Sequence, residues 1–202
     1  MPRSLLRLPT ANQVRIIGGK WRRRLLHFPG AADLRPTPDR VRGTLFNWLG
    51  QDLSELATLD LFAGSGALSF EALSRGAALA VAVDSGDRAV AGLRENAAAL
   101  GATALEVHRA DALAFLRRET RGFDVIFLDP PFREDWLPGL LPLIPPRLNA
   151  GGWLYIEQAQ AAQTVPGWEV FRHQRAGQVH YHLLRRESDT VANEGIQRES
   201  KP

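Results

Sequence analysis

Asp129-Pro130-Pro131-Phe132 is the stretch of this sequence best suited to chemistry on an amino group. A carboxylate and a carbonyl both accept hydrogen bonds, and two consecutive prolines fix φ near about −65° and carry no N–H, so the carbonyls around them have no ladder to join. Pro131 stiffens that pair of acceptors, and Phe132 adds a flat face on which a nucleobase could stack for roughly 1–3 kcal/mol. The loop follows Phe123-Asp124-Val125-Ile126-Phe127-Leu128, an apolar run that reads as a buried strand. A plain turn after a core strand has the same local pattern, so the surroundings must discriminate.

A second group of residues does so. Asp60-Leu61-Phe62-Ala63-Gly64-Ser65-Gly66 closes an earlier apolar run and leads into a helix. In an open α/β sheet, ligands bind beyond the carboxyl ends of the strands, where glycines let the backbone come close. Gly64-x-Gly66-x-x-Ser69 lacks the third glycine of the dinucleotide fingerprint, which weighs against a pyrophosphate. Asp84 ends the next strand, where an acidic residue accepts both hydroxyls of a ribose. Asp111, with Ala112 beside it, follows the strand after that, within reach of an adenine amino group. Each of these residues alone reads equally well as a cap or a surface charge. At successive strand ends, with Asp129 at the fourth, they outline a groove the shape of adenosine.

Such a groove needs a scaffold that brings the strand ends to one edge. Residues 56–61, 79–83, 105–108, 123–128 and 153–156 read as strands, with helices between them at about 67–75, 88–100, 112–118 and 136–148. This rhythm predicts an α/β fold with a doubly wound, mostly parallel sheet and right-handed crossovers. Pro138, Pro142, Pro145 and Pro146 break the last helix. Residues 169–175 and 179–184 flank Ala176-Gly177-Gln178 as a closing hairpin, which sets one antiparallel strand into a seven-stranded sheet.

Ahead of the sheet, residues 14–17 and 20–28 flank Gly18-Gly19 as an N-terminal β-hairpin. Thr37 then caps a helix with Pro38 at its first position, running through Val41, Leu45, Phe46, Trp48 and Leu49. The expected division is a flexible terminus (1–13), a hairpin-and-helix extension (14–50), a catalytic domain (51–186) and a disordered tail (187–202). Phe46, Trp48, Trp153 and Tyr155 are assigned to the core, and His180 and His182 to the strand surface.

With 202 residues and 45% apolar content, the chain can bury one sizeable core. It has no apolar run of about 18 residues, and Arg3 and Arg7 interrupt the start too early for a secretory signal, so a soluble, cytoplasmic protein is expected; separately, it is expected to be a monomer. The absence of cysteine excludes disulfides, thiolate metal sites and a cysteine nucleophile, and no other cluster suggests a metal. The net charge of +3 is unevenly spread: residues 1–50 carry ten Lys/Arg against Asp33 and Asp39, a balance of +8, leaving −5 for the remainder. A basic segment on a mildly acidic body suits a nucleic acid held beside a catalytic domain. Arg15, Lys20, Arg22, Arg23 and Arg24 on the hairpin, followed by Arg35, Arg40 and Arg42, are the candidate phosphate contacts. Trp21 is equally suited to stacking on RNA and to core packing.

The sequence resembles the class I S-adenosylmethionine-dependent methyltransferases, with Asp60 to Ala67, Asp84, Asp111 and Asp129 to Phe132 in the places of their first four motifs. Over roughly residues 14–186 it resembles more closely the bacterial 16S rRNA guanine-N2 methyltransferases. Arg15-Ile16-Ile17-Gly18-Gly19, Leu34-Arg35-Pro36-Thr37, Asp39-Arg40-Val41-Arg42, Leu45-Phe46-Asn47-Trp48 and Glu71-Ala72-Leu73-Ser74-Arg75-Gly76 carry that likeness. Gly43 and Asp84 depart from it, since the family commonly has Glu at both places.

The resemblance implies a Rossmann-like fold, S-adenosylmethionine as cofactor, and 16S rRNA or a small-subunit assembly intermediate as partner. The implied reaction is methylation of guanine N2, at nucleotide G966. It implies cofactor contacts from Asp60, Phe62, Ala63, Gly64, Ser65, Gly66, Asp84, Asp111 and Ala112, and catalysis by Asp129, Pro130, Pro131 and Phe132. The alternatives are an amino-methyltransferase acting on DNA adenine or cytosine, a non-catalytic RNA-binding assembly factor, and a nicotinamide oxidoreductase.

Overall fold

A computed structural model describes residues 12–28, 37–131, 135–159 and 165–187. Phe132, Arg35, and most of the two terminal segments lie outside the described residues. No helix among the described residues is long and apolar enough to cross a membrane.

The sheet is built from β3 (Ala57–Asp60), β4 (Leu79–Asp84), β5 (Leu105–Arg109), β6 (Phe123–Leu128), β7 (Leu148–Gln158), β8 (Trp168–Ala176) and β9 (Val179–Arg186). Its order is β5-β4-β3-β6-β7-β9-β8, with β9 antiparallel to both neighbours and the other pairings parallel. Connections from β3 lead outward to β4 and β5, and the chain then returns to β6 on the other side. The strand order therefore reverses between β3 and β6, the place where such sheets open a crevice for ligands. The expected Rossmann-like, mostly parallel sheet with one antiparallel strand is present.

The connecting helices are α2 (Ala67–Ser74), α3 (Asp87–Leu100) and α4 (Ala112–Arg118). Beyond β6 the chain forms only a single turn, α5 (Leu137–Leu140), and two 3-10 turns at Leu141–Leu143 and Pro145–Arg147. This is the interruption that the four prolines dictate. Two apolar clusters fill the faces of the sheet. One includes Phe127, Tyr155 and Leu183 and the other Ile126, Leu128 and Ile156, as the twofold alternation of strand side chains requires.

The N-terminal extension comprises β1 (Gln13–Arg15), β2 (Leu25–His27) and α1 (Asp39–Leu49). Val14, Ile16, Leu26, Val41, Leu45 and Phe46 belong to the same core cluster as Phe127 and Tyr155, so the extension packs into the main core. Phe46 meets Phe127 at a ring separation of 6.3 Å, and Trp48 stacks on Tyr181 at 5.4 Å, which lays α1 across β6, β7 and β9.

Three expectations are corrected. The hairpin strands are shorter than expected, and Lys20 to Arg24 form the connecting loop, so strand alternation does not govern which basic side chains face outward. The Gly18-Gly19 pair serves a close approach: Gly19 sits at φ 70°, a Cβ on it would collide with the Ser74 carbonyl, and Lys20 N–H donates to that carbonyl at 2.7 Å. His182 is fully buried, and its cross-strand partner His173 on β8 stacks on its ring at 4.4 Å.

Candidate active site

The strand ends deliver four acidic residues to one region. Asp60 is 2% exposed, and its Oδ2 accepts the Ser69 hydroxyl at 2.9 Å. Its Oδ1 has no hydrogen-bond partner among the described residues. Burial pushes the Asp60 carboxyl up to about 7, and the charges of Asp129 and Asp84 add to the rise against the Ser69 hydrogen bond. Asp84 receives Gly64 N–H at Oδ2 and Gly86 N–H at Oδ1, both at 2.8 Å. The glycine loop is thereby pinned to the end of β4, and the Gly64 amide points at a carboxylate. Asp111 Oδ1 caps α4 by accepting Ala114 N–H at 2.9 Å.

Asp129 follows β6, and its Oδ2 accepts the Thr37 hydroxyl at 3.2 Å. It retains some exposure, yet burial of its carboxyl raises it to about 6 against that hydrogen bond. Beside it lies Glu157, 4% exposed, whose Oε1 accepts the Tyr155 hydroxyl at 2.8 Å. Burial and then the Asp129 charge push Glu157 up to about 8. Burial first, then the charges of Glu157 and Asp129, holds the Tyr155 hydroxyl well above its ordinary value. Phe62, in the glycine loop, meets Trp136 edge-on at 5.3 Å.

Crowded, desolvated carboxylates favour a cation. The sulfonium and ammonium of S-adenosylmethionine fit such a site, whereas the pyrophosphate of a nicotinamide dinucleotide would meet Asp60 and Asp84 and find the Gly64 amide already engaged.

Arg42 ties Thr37 in place. Fully buried, it donates from Nε to the Thr37 carbonyl (3.1 Å), and from Nη2 to the Arg15 carbonyl (2.7 Å) and Asp39 (2.5 Å). Its Nη1 reaches Glu71 Oε2 at 3.4 Å. Glu71, itself buried, also receives the N–H groups of Ile17 and Gly18 and the Arg75 Nε, each at 2.8 Å. Arg42 is therefore withdrawn from the expected phosphate contacts. Lys20, Arg22, Arg23, Arg24 and Arg40 are exposed, Arg15 is half-buried, and Trp21 is partly buried with the Lys20 ammonium 4.3 Å above its ring.

A model of the family described as Conserved hypothetical protein 95 matches residues 14–185. The Ribosomal RNA small subunit methyltransferase D of Escherichia coli strain K12 is 44% identical over 188 residues, spanning 88% of this chain and 92% of that protein. The chain belongs to the small subunit methyltransferase D family. The methyltransferase D of Haemophilus influenzae is 37% identical over 180 residues, spanning 85% of this chain and 93% of that protein. Among solved structures, the putative methyltransferase yhhF from Escherichia coli superposes with a TM-score of 0.78 at 41% identity, covering 87% of this chain and 98% of that one.

The structure gathers Asp60, the loop from Phe62 to Gly66, Asp84 and Asp129 at one edge of the sheet, with Asp111 and Ala112 at the head of α4 on the same edge. Sequence reasoning missed Thr37, Ser69 and Glu157 as parts of the site. The reading of Thr37 as a cap for α1 is corrected: that helix begins at Asp39 without a side-chain cap, and the hydroxyl turns to Asp129 instead. Glu157 lies just past the expected strand end at Ile156, whereas β7 continues to Gln158. An acidic residue closing an apolar strand was the signal available, the same one that marks Asp60 and Asp84.

Proposed function

We propose that this protein methylates the exocyclic N2 of a guanine in small-subunit ribosomal RNA, with S-adenosylmethionine as the methyl donor. The observation that carries the reading is the Asp129-Pro130-Pro131 loop, held by Thr37 at the fourth strand end beside a buried acidic cluster suited to a cation. Membership in a family of ribosomal RNA methyltransferases supports the coarser part, methyl transfer to ribosomal RNA. The choice of guanine N2, and of G966 in particular, rests on family resemblance.

S-adenosylmethionine supplies an electrophilic methyl group on its sulfonium. Asp60 and the Phe62–Gly66 loop would hold its amino-acid end, Asp84 its ribose and Asp111 with Ala112 its adenine. Asp129 and the Pro130 carbonyl would accept the two amino hydrogens of the base. That geometry favours a pyramidal nitrogen whose lone pair, otherwise delocalised into the ring, faces the methyl group in line. Phe132 would stack on the base. The exposed Lys20, Arg22, Arg24 and Arg40, with Arg15, Arg35 and Trp21, would hold the RNA backbone, giving affinity that falls as salt rises.

Transfer of labelled methyl from S-adenosylmethionine to small subunits, naked 16S rRNA and DNA, followed by nucleoside analysis, tests the reading. N2-methylguanine from ribosomal RNA is expected, lost in Asp129→Ala while cofactor affinity stays within about threefold. N6-methyladenine as the product would overturn the choice of guanine N2. Absence of cofactor binding would favour a non-catalytic assembly factor.

A further inference from the structure

The buried carboxyl of Glu157 takes no part in the mechanism above, yet it stands beside the group that does. β6 and β7 run parallel with Leu128 opposite Ile156, so the same register carries Asp129 and Glu157 off neighbouring strand ends. Phe127 and Tyr155, two residues earlier, meet on the same face at a ring separation of 6.2 Å, so Asp129 and Glu157 share that face as well. Hydrogen bonding then leaves little freedom. Tyr155 donates its one hydroxyl proton to Glu157 Oε1. Thr37 donates its one hydroxyl proton to Asp129 Oδ2, and Glu157 is the more deeply buried of the two residues. Each carboxyl thus accepts one hydroxyl hydrogen bond, and the heavier desolvation of Glu157 favours its neutral form.

We propose that Glu157 is a positioning residue that carries the single proton of the Asp129–Glu157 pair, so that Asp129 meets the substrate amine as a carboxylate. The titratable groups facing Glu157 are Asp129 from β6, Asp60 from β3, Tyr155 on its own strand and Tyr181 opposite it on β9. Two adjacent anions in a desolvated site would repel, and one shared proton removes the repulsion. The ordering agrees: burial and the Asp129 charge raise Glu157 to about 8, above Asp129 at about 6.

The inference rests on Asp129 being the amine acceptor, so one test is read on the protein alone. Infrared difference spectra of the full chain between neutral and alkaline pH should show loss of a protonated carboxyl band in the wild type, and that component should be absent from Glu157→Gln. Persistence of the band in full would place the proton elsewhere and overturn the proposal. Kinetics supplies the second test. Gln is isosteric with protonated Glu and still accepts from Tyr155, so Glu157→Gln should keep kcat within about threefold. Glu157→Leu should lower kcat by about tenfold or more with cofactor Kd unchanged. Equal losses in Gln and Leu would show that Glu157 acts as an anion. Should the wild type yield no N2-methylguanine, the functional reading fails, while the infrared result stands or falls separately.

Discussion

Thr37 donates a 3.2 Å hydrogen bond to Asp129 across 92 residues of sequence, from the segment that enters α1 to the loop that leaves β6. The hydrogen bond favours the ionised form of Asp129 and fixes the carboxylate in direction. Thr37→Val removes both effects while preserving shape. We expect kcat to fall about tenfold, in line with the roughly 1.5–3 kcal/mol assigned to hydrogen bonds with charged groups. The acid limb of the pH profile should move upward, because Asp129 must be ionised and no longer has the hydrogen bond that opposes its rise. Thr37→Ser should restore both; an unmoved profile in Thr37→Val would show that the Thr37 hydroxyl does not act on Asp129.

Arg42 joins the hairpin, Thr37 and α2 through one buried guanidinium. Arg42→Met fills similar space but leaves the Glu71 carboxylate short of a counter-charge and two carbonyls short of donors. Breaking a buried pair from one side costs about 3–5 kcal/mol, and that is the loss expected in denaturant unfolding. A loss below about 1 kcal/mol would mean that Arg75 alone compensates Glu71.

Gly43 lies within α1, where an added Cβ would make an ordinary 3.7 Å approach to Ile17 Cδ1. Glycine in a helix interior costs about 1 kcal/mol relative to alanine, and nothing in the backbone here requires it. Gly43→Ala should therefore stabilise the fold by roughly 0.5–1 kcal/mol without changing methyl transfer, as read by urea midpoints at constant m. A lowered midpoint would mean that α1 cannot take even a methyl group against Ile17.

The acidic cluster makes stability depend on pH with a definite sign. Asp60, Asp129 and Glu157 titrate at about 7, about 6 and about 8 in the folded protein, all above the ordinary carboxyl range. The folded state thus binds more protons than the unfolded state between about pH 4 and pH 8, so their contribution is fully present below that window and is lost as pH rises through it. Asp60→Asn keeps an oxygen for Ser69 and removes the charge. Its Tm should exceed that of the wild type by a few degrees at pH 8 and by less at pH 5 to 6, with weaker cofactor binding as the penalty. A gain independent of pH would refute the electrostatic account.

Sequence alone determined the strands, their acidic ends and the broken segment after β6. Each of these follows from local pattern: apolar runs of strand length, prolines that cannot continue a helix, and charges placed where a buried run must surface. The same logic found Asp60, Asp84 and Asp129, because a carboxylate closing an apolar strand is visible without knowing its neighbours. What it could not supply was the fate of residues whose type permits more than one environment. Arg42 in a basic segment is indistinguishable from Arg40 by type, yet one is fully buried and the other exposed, because α1 turns only one of its faces to the sheet. Thr37 before a proline reads as a cap, and only the seating of α1 across β6 and β7 brings its hydroxyl to Asp129. Glu157 gained its place through the parallel register of β6 and β7, a pairing between segments far apart in the chain. Local propensity is written into a few consecutive residues, but desolvation and the sharing of a proton arise only when distant strands meet.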